Sequence, residues 1–155
     1  TENDDRKLYT EDANIYEGKN VDLIDNEKLC SSGKFCHHRK GAWEEAINAK
    51  NEDDVKHLEQ CVFNCPSGRL VLLKNGKVVE PNFDKEIYIL KNSNEGFLWP
   101  LYVRGGIQIE GTDGFKYEVR NRIALCRCGH SKIKPFCDSS HYDYECMIID
   151  ENNKN

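Results

Sequence analysis

No stretch of these 155 residues is apolar for long enough to span a bilayer. With a mean hydropathy of −0.75 and 32% charged side chains, the chain is expected to be soluble, with no membrane partner. Positive charge is also short: 22 Lys and Arg face 27 Asp and Glu. The net charge of −5 argues against a nucleic-acid partner, which needs a basic face. The acidic opening Thr1–Lys7 has neither the cationic start nor the apolar middle of a secretory signal, so a reducing, cytoplasmic location is expected. A glycine-rich phosphate loop, a Ser/His/Asp grouping and a convincing carboxylate pair are all missing, so the chain is not expected to be an enzyme. There is no internal repeat and no low-complexity run. Only 38% of residues are hydrophobic, a thin supply for a core, and the polar ends are expected to fray. Small domains with thin cores often need a staple.

What the chain has in quantity is cysteine, eight residues in all. Without a secretory signal these read as metal ligands rather than a disulfide framework. They fall into two sets, Cys30, Cys36, Cys61 and Cys65 in the first half and Cys126, Cys128, Cys137 and Cys146 in the second. Between the sets, two apolar runs flank Asn75-Gly76, a strong signal for a tight hairpin, and the stretch from Pro81 to Asp84 reads as a boundary. Two domains are therefore expected, residues 1–80 and 81–155.

Local patterns fill in an α+β chain with a β-rich second half. A short strand is expected at Val21–Ile24. A helix is expected from Glu52 to Asn64, with Val55, Leu58 and Val62 on one face, Asn51 as N-cap, and Pro66 and Gly68 as stops. Further strands are expected at residues 86–90, 101–103, 106–109 and 115–119, separated by Gly and Asp-Gly turns.

The densest chemistry lies between Cys126 and His141, where three cysteines and two histidines, His130 and the closing His141, fall within sixteen residues. Thiolate and imidazole are the donors selected by zinc and by iron–sulfur clusters. Cys-x-Cys followed later by Cys-x-x-x-His makes two pairs, which suits two adjacent metal atoms. A single tetrahedral zinc more often takes cysteines two to four residues apart.

At these residues the chain resembles the CDGSH iron–sulfur domain (NEET) family. Ser131, Pro135, Asp138 and Ser140 match its pattern as well, and Ser139 stands where the family usually has glycine. The stretches Phe97–Ile107 and Tyr117–Leu125 look like the strands that precede the motif in prokaryotic members. The resemblance implies a [2Fe–2S] cluster held by Cys126 and Cys128 on an inner iron and by Cys137 and His141 on an outer, more exposed iron. Eukaryotic members form homodimers, so a homodimer stays open, with the fused first half as an alternative to the second subunit.

In the first half, Cys30-x5-Cys36 followed by Cys65-Pro66 resembles a divergent single-cluster [4Fe–4S] ferredoxin domain over roughly residues 6 to 75. The midway cysteine of ordinary single-cluster ferredoxins is Gly33 here. Cys61, one helical turn before Cys65, is the expected substitute, giving Cys30, Cys36, Cys61 and Cys65 as ligands. A three-cysteine [3Fe–4S] cluster, or a ligand from His37 or His38, stays open.

Supporting residues can be read too. Gly129 and Gly68 are expected to keep the backbone small beside a cluster, where amide N–H groups reach sulfur. Asp138 is expected to cap the helix that carries His141 and to steady the cluster loop. Serine at 139 predicts a shifted turn, because only glycine takes a positive φ cheaply. His37-His38-Arg39-Lys40 reads as a solvated loop, His57 as a surface residue, and His130 as a neighbour of the binding loop or a solvent-exposed ring. Cys146 beside Met147 reads as a buried free thiol, Trp43 and Trp99 as core fillers, and Arg104 and Arg120 as partners in salt bridges. The expected function is one-electron transfer between redox partner proteins. Cluster storage, delivery to apo-proteins or redox sensing is the alternative, and a structural zinc-binding interaction module is a third reading.

Overall fold

A computed structural model of the chain describes residues 12–89 and 98–144. Phe97, Cys146, Met147 and the polar ends lie outside these. The fold is α+β.

In the first half, four antiparallel strands pair in chain order: β1 (Asn14–Tyr16), β2 (Asp22–Asp25), β3 (Leu70–Lys74) and β4 (Lys77–Val79). Two helices, α1 (Ala42–Asn48) and α2 (Glu52–Phe63), pack on this sheet. The chain forms α2 for local reasons. The Asn51 side chain accepts the Asp54 N–H at 2.9 Å, three acidic residues fill the first turn, and Val55, Leu58 and Val62 repeat at helical spacing. Those three residues are buried with Leu23, Ala46, Leu70 and Leu72 in one apolar cluster. The hairpin between β3 and β4 turns on Asn75 and Gly76, both left-handed at φ 52° and 72°. Left-handed conformation at both central residues is what an Asn-Gly turn supplies. The helix α1 was not foreseen, because seven residues after Gly41 are too few to establish a period.

The second half holds β5 (Glu86–Ile89), β6 (Leu101–Arg104) and β7 (Arg122–Leu125), an antiparallel sheet in chain order, followed by the one-turn helix α3 (Ser140–Asp143). The strands expected at 106–109 and 115–119 do not form. Left-handed Gly105 and Gly106 (φ 87° and 71°) turn the chain off β6 into a short arm closed by a single bridge between Glu110 and Lys116. Ile107, Ile109 and Tyr117 of that arm pack on Val103, Ile123 and Phe136.

The halves interlock. Leu29, from the first, is buried among Val103, Ile123 and Phe136 of the second. Arg122, 2% exposed, reaches the other way: Nη1 donates to the carbonyls of Val62 (2.6 Å) and Cys65 (2.7 Å), and Nη2 to Leu70 (2.8 Å). Its Nε meets Glu80 at 2.9 Å, so the buried charge is paired. Gly68, at φ 65°, lies where a Cβ would come within 2.4 Å of the Arg122 carbonyl oxygen. The absent side chain therefore makes room for the second half.

Candidate metal centres

The second-half donors sit where β7 ends. Backbone bonds from Cys126 N to the Pro135 carbonyl and from Cys137 N to the Ala124 carbonyl, both 2.8 Å, bring the two ends of the loop side by side. Ser131 pins the loop between them, its hydroxyl donating to the Phe136 carbonyl at 2.6 Å and accepting the Ile133 N–H at 3.1 Å. The four donors form two pairs, Cys126 Sγ to Cys128 Sγ at 3.8 Å and Cys137 Sγ to His141 Nδ1 at 3.7 Å. Among the described residues, only Glu45, His57 and Cys61 bring three such ligand atoms within 4.8 Å of one another. Cys126, Cys128, Cys137 and His141 are thus not drawn round a single ion. Two pairs apart from each other fit two metal atoms.

The expected order of exposure is reversed. Cys137 and His141 are 4% and 1% exposed, whereas Cys126 and Cys128 are half-buried. Trp99 and Tyr142 cover His141, with ring centroids 5.6 and 4.7 Å away. Burial pushes the Cys137 thiol up to about 12, partly offset by the Ser139 N–H that points at its sulfur, and burial lowers His141 despite Asp138 and Asp143 nearby. The imidazole is therefore neutral at pH 7, with Nδ1 beside Cys137 and Nε2 buried without a hydrogen-bond partner. A metal bound here would have to take the proton from the buried Cys137 thiol, while the neutral imidazole is already in its ligating form.

Asp138 is not the N-cap that the sequence suggested, a place taken by Ser139, but it does steady the loop. Its Oδ1 accepts the Ser140 N–H at 3.0 Å and its Oδ2 the Lys132 N–H at 2.9 Å, tying the ligand loop to α3 from the residue before the N-cap. Burial alone would raise this carboxyl, but the bonds from Ser140, Lys132 and Ser131 hold it below its usual range. Gly129 sits in open space, so its role is its left-handed backbone, φ 82°. The next amide, His130 N–H, points at Cys128 Sγ at 3.4 Å, and the His130 ring stacks on Tyr144 at 4.2 Å.

In the first half, Cys30, Cys36 and Cys65 line one small hollow with Gly33, Phe35, Pro66, Ser67 and Arg69. Burial raises the Cys36 thiol, with Cys65 and Cys30 adding to the effect and Arg69 opposing it. Cys61 is not in this hollow. It lies on the face of α2 that meets α1, 7% exposed, beside Glu45 and His57. Cys61 and Cys65 do not share a site because the helix ends between them, at C-cap Asn64. Neither His37 nor His38 lines the hollow, and the His37 ring packs near Trp43 at 5.6 Å. The hollow therefore offers three thiols.

Three residues matter here, of which sequence reading passed over Arg69 and Ser32 and saw in Ser139 only a departure from glycine. Arg69 is fixed against Asp25 by bonds of 2.6 and 2.9 Å and lies beside Cys30, a positive charge facing the thiols. Arg104 instead pairs with Glu86, and Arg120 donates to the Gly68 carbonyl at 2.6 Å. The other two are serines. Ser139 keeps the turn its glycine counterpart would make, at φ 72° and ψ 6°, so the turn is not shifted. Its hydroxyl donates to the Cys30 carbonyl at 2.6 Å and meets the Ser32 hydroxyl at 2.7 Å. Ser32 N–H points at Cys30 Sγ and Ser139 N–H at Cys137 Sγ, each at 3.4 Å. Tyr102, fully buried, has Cys137 and Cys65 among its charge neighbours. The only visible cues were a serine in a glycine position and a Ser-Ser pair after Cys30.

Cysteine-rich donors in two pairs, amides aimed at three sulfurs and an adjacent half-buried arginine fit iron–sulfur ligation. No match was found among curated proteins or among solved structures. Two family models do match, a divergent 4Fe-4S mono-cluster over residues 16–75 and an iron-binding zinc finger of CDGSH type over residues 99–142. The two matches, one to each half of the chain, show an iron–sulfur protein in which a region similar to a divergent 4Fe-4S mono-cluster is fused to a region similar to the CDGSH type.

Proposed function

We propose that this chain passes single electrons between redox partner proteins and has no catalytic role of its own. Cys126, Cys128, Cys137 and His141 would hold a [2Fe–2S] cluster, and Cys30, Cys36 and Cys65 a [4Fe–4S] or [3Fe–4S] cluster. When bound, the clusters supply one-electron storage. The observation that carries this reading is the hydrogen-bonded link between the two sites. From Cys137 Sγ a path runs through the Ser139 amide and side chain to the Ser32 hydroxyl, then through the Ser32 amide to Cys30 Sγ. Arg69 offsets negative charge at the first site, and neutral His141 does so at the second by replacing a thiolate. The half-buried Cys126–Cys128 edge is the side on which a partner would dock.

Delivery of the smaller cluster to apo-proteins is less well supported, because its histidine ligand, the feature that favours release, is 1% exposed. The test is anaerobic purification followed by iron and sulfide counts and electron paramagnetic resonance, then mixing with an apo-ferredoxin. Reversible reduction of both centres with no transfer supports the carrier. Transfer of iron and sulfide to the acceptor overturns it in favour of delivery, and zinc without acid-labile sulfide overturns any cluster reading.

A further inference from the structure

The cysteine left over from the first-half site has its own companions. His57 and Cys61 stand one turn apart on α2, and Glu45 faces them from α1, with the three ligand atoms within 4.8 Å of one another. His57 Nδ1 lies 2.7 Å from Glu45 Oε2. Glu45 Oε1 is buried with no hydrogen-bond partner, and Cys61 is 7% exposed. We propose that Glu45, His57 and Cys61 form a third metal site, separate from the iron–sulfur centres, which takes one zinc-class divalent cation and clamps α1 to α2.

The donor set suits that ion. Carboxylate oxygen, imidazole nitrogen and thiolate sulfur are all zinc ligands at about 2.0 to 2.3 Å, which puts neighbouring donors of a tetrahedral site about 3.3 to 3.8 Å apart. The present spread needs side-chain rotation only. The charges also close: one dication against one carboxylate, one thiolate and a neutral imidazole sums to zero, which makes a half-buried position tolerable. Zinc would sit between His57 Nδ1 and Glu45 Oε2, displacing the proton there to His57 Nε2 or to solvent, and would bring positive charge beside the bare Glu45 Oε1, while Cys61 releases its proton to solvent. Glu45 also lines an open surface hollow with Arg39, Lys40, Glu44, Lys50 and Asp54, and solvent on that side would supply the fourth ligand. The clamp sits on the helix that leads into Cys65, so it would steady the first-half centre without touching its iron.

The full chain, purified anaerobically with its clusters in place, is equilibrated in a zinc-buffered solution and assayed for zinc and iron together. The expected result is about one zinc per chain. X-ray absorption at the zinc edge should report one sulfur near 2.3 Å and lighter atoms near 2.0 to 2.1 Å. Cys61→Ser and His57→Gln should each weaken zinc binding by more than about a hundredfold, beyond the 10- to 100-fold typical of losing an outer partner, with iron unchanged. His57→Gln alters a half-buried side chain and keeps the test open should Cys61→Ser fold poorly. A chain that retains no zinc overturns the site, as does a zinc edge with three or four sulfurs. Iron loss in Cys61→Ser overturns it too, and would assign Cys61 to the first-half cluster. Iron is counted separately, so failure of the zinc site leaves the electron-carrier reading standing, and the reverse.

Discussion

Replacing Ser139 tests the link between the two centres, and the choice of replacement separates two opposed effects. At φ 72° a non-glycine residue pays about 1–2 kcal/mol for left-handed backbone. Against this stand the hydroxyl's bonds, 2.6 Å to the Cys30 carbonyl and 2.7 Å to Ser32. Each neutral hydrogen bond contributes a net of about 0.5–1.5 kcal/mol. Ser139→Ala loses the bonds and keeps the strain, so it should be destabilised by about 1–3 kcal/mol. Ser139→Gly loses the same bonds but relieves the strain, and should fall between about 1 kcal/mol more stable and about 2 kcal/mol less stable than wild type. The alanine variant should therefore melt below the glycine variant by about 2–4 °C for each kcal/mol between them, read anaerobically at matched scan rate by far-ultraviolet dichroism. An alanine variant that melts with wild type, or a glycine variant that melts below alanine, would refute the reasoning.

Three further outcomes are expected. Arg122→Met should cost about 3–5 kcal/mol, because Glu80 and three carbonyls lose their partner; adding Glu80→Gln should recover part of this in a denaturant series. In the metal-free chain, burial holds His141 below its ordinary 6.5, so the unfolded state takes up a proton first as pH falls. Stability should then drop on acidification below about 6.5, with a slope of at most about 1.4 kcal/mol per pH unit, and stay flat from there to about pH 8, above which the Cys137 thiol held protonated in the fold lowers it again, while His141→Asn removes the acid slope. Iron analysis of Cys65→Ser should fall from about six per chain, the sum for a four-iron and a two-iron cluster, to about two.

Much of this was legible in the sequence because the signals are local. The Asn51 cap, the apolar repeat of α2, the Asn75-Gly76 turn and the tight spacing from Cys126 to His141 each depend on residues close together in the chain. What was missed depends on contacts across long separations. Cys61 and Cys65 look equivalent at four-residue spacing, and only the end of α2 at Asn64 divides them. The burial of His141 comes from Trp99, 42 positions upstream, and from the packing of Tyr142. The role of Ser139 depends on Cys30 and Ser32, more than a hundred residues away. Strands were over-read at 106–109 and 115–119 because alternation survives in an arm whose glycines have already turned it out of the sheet.

The crossing of Arg122 and Leu29 bears on how the molecule comes apart. Cutting the chain near Pro81 would strand a guanidinium without its carbonyls in one fragment and expose a leucine in the other. Each piece keeps an apolar cluster of its own but loses the contacts that bind it to the other, so melting should proceed as one cooperative event, and the joint between the two modules is not a place where a protease or a genetic scissor could separate them cleanly.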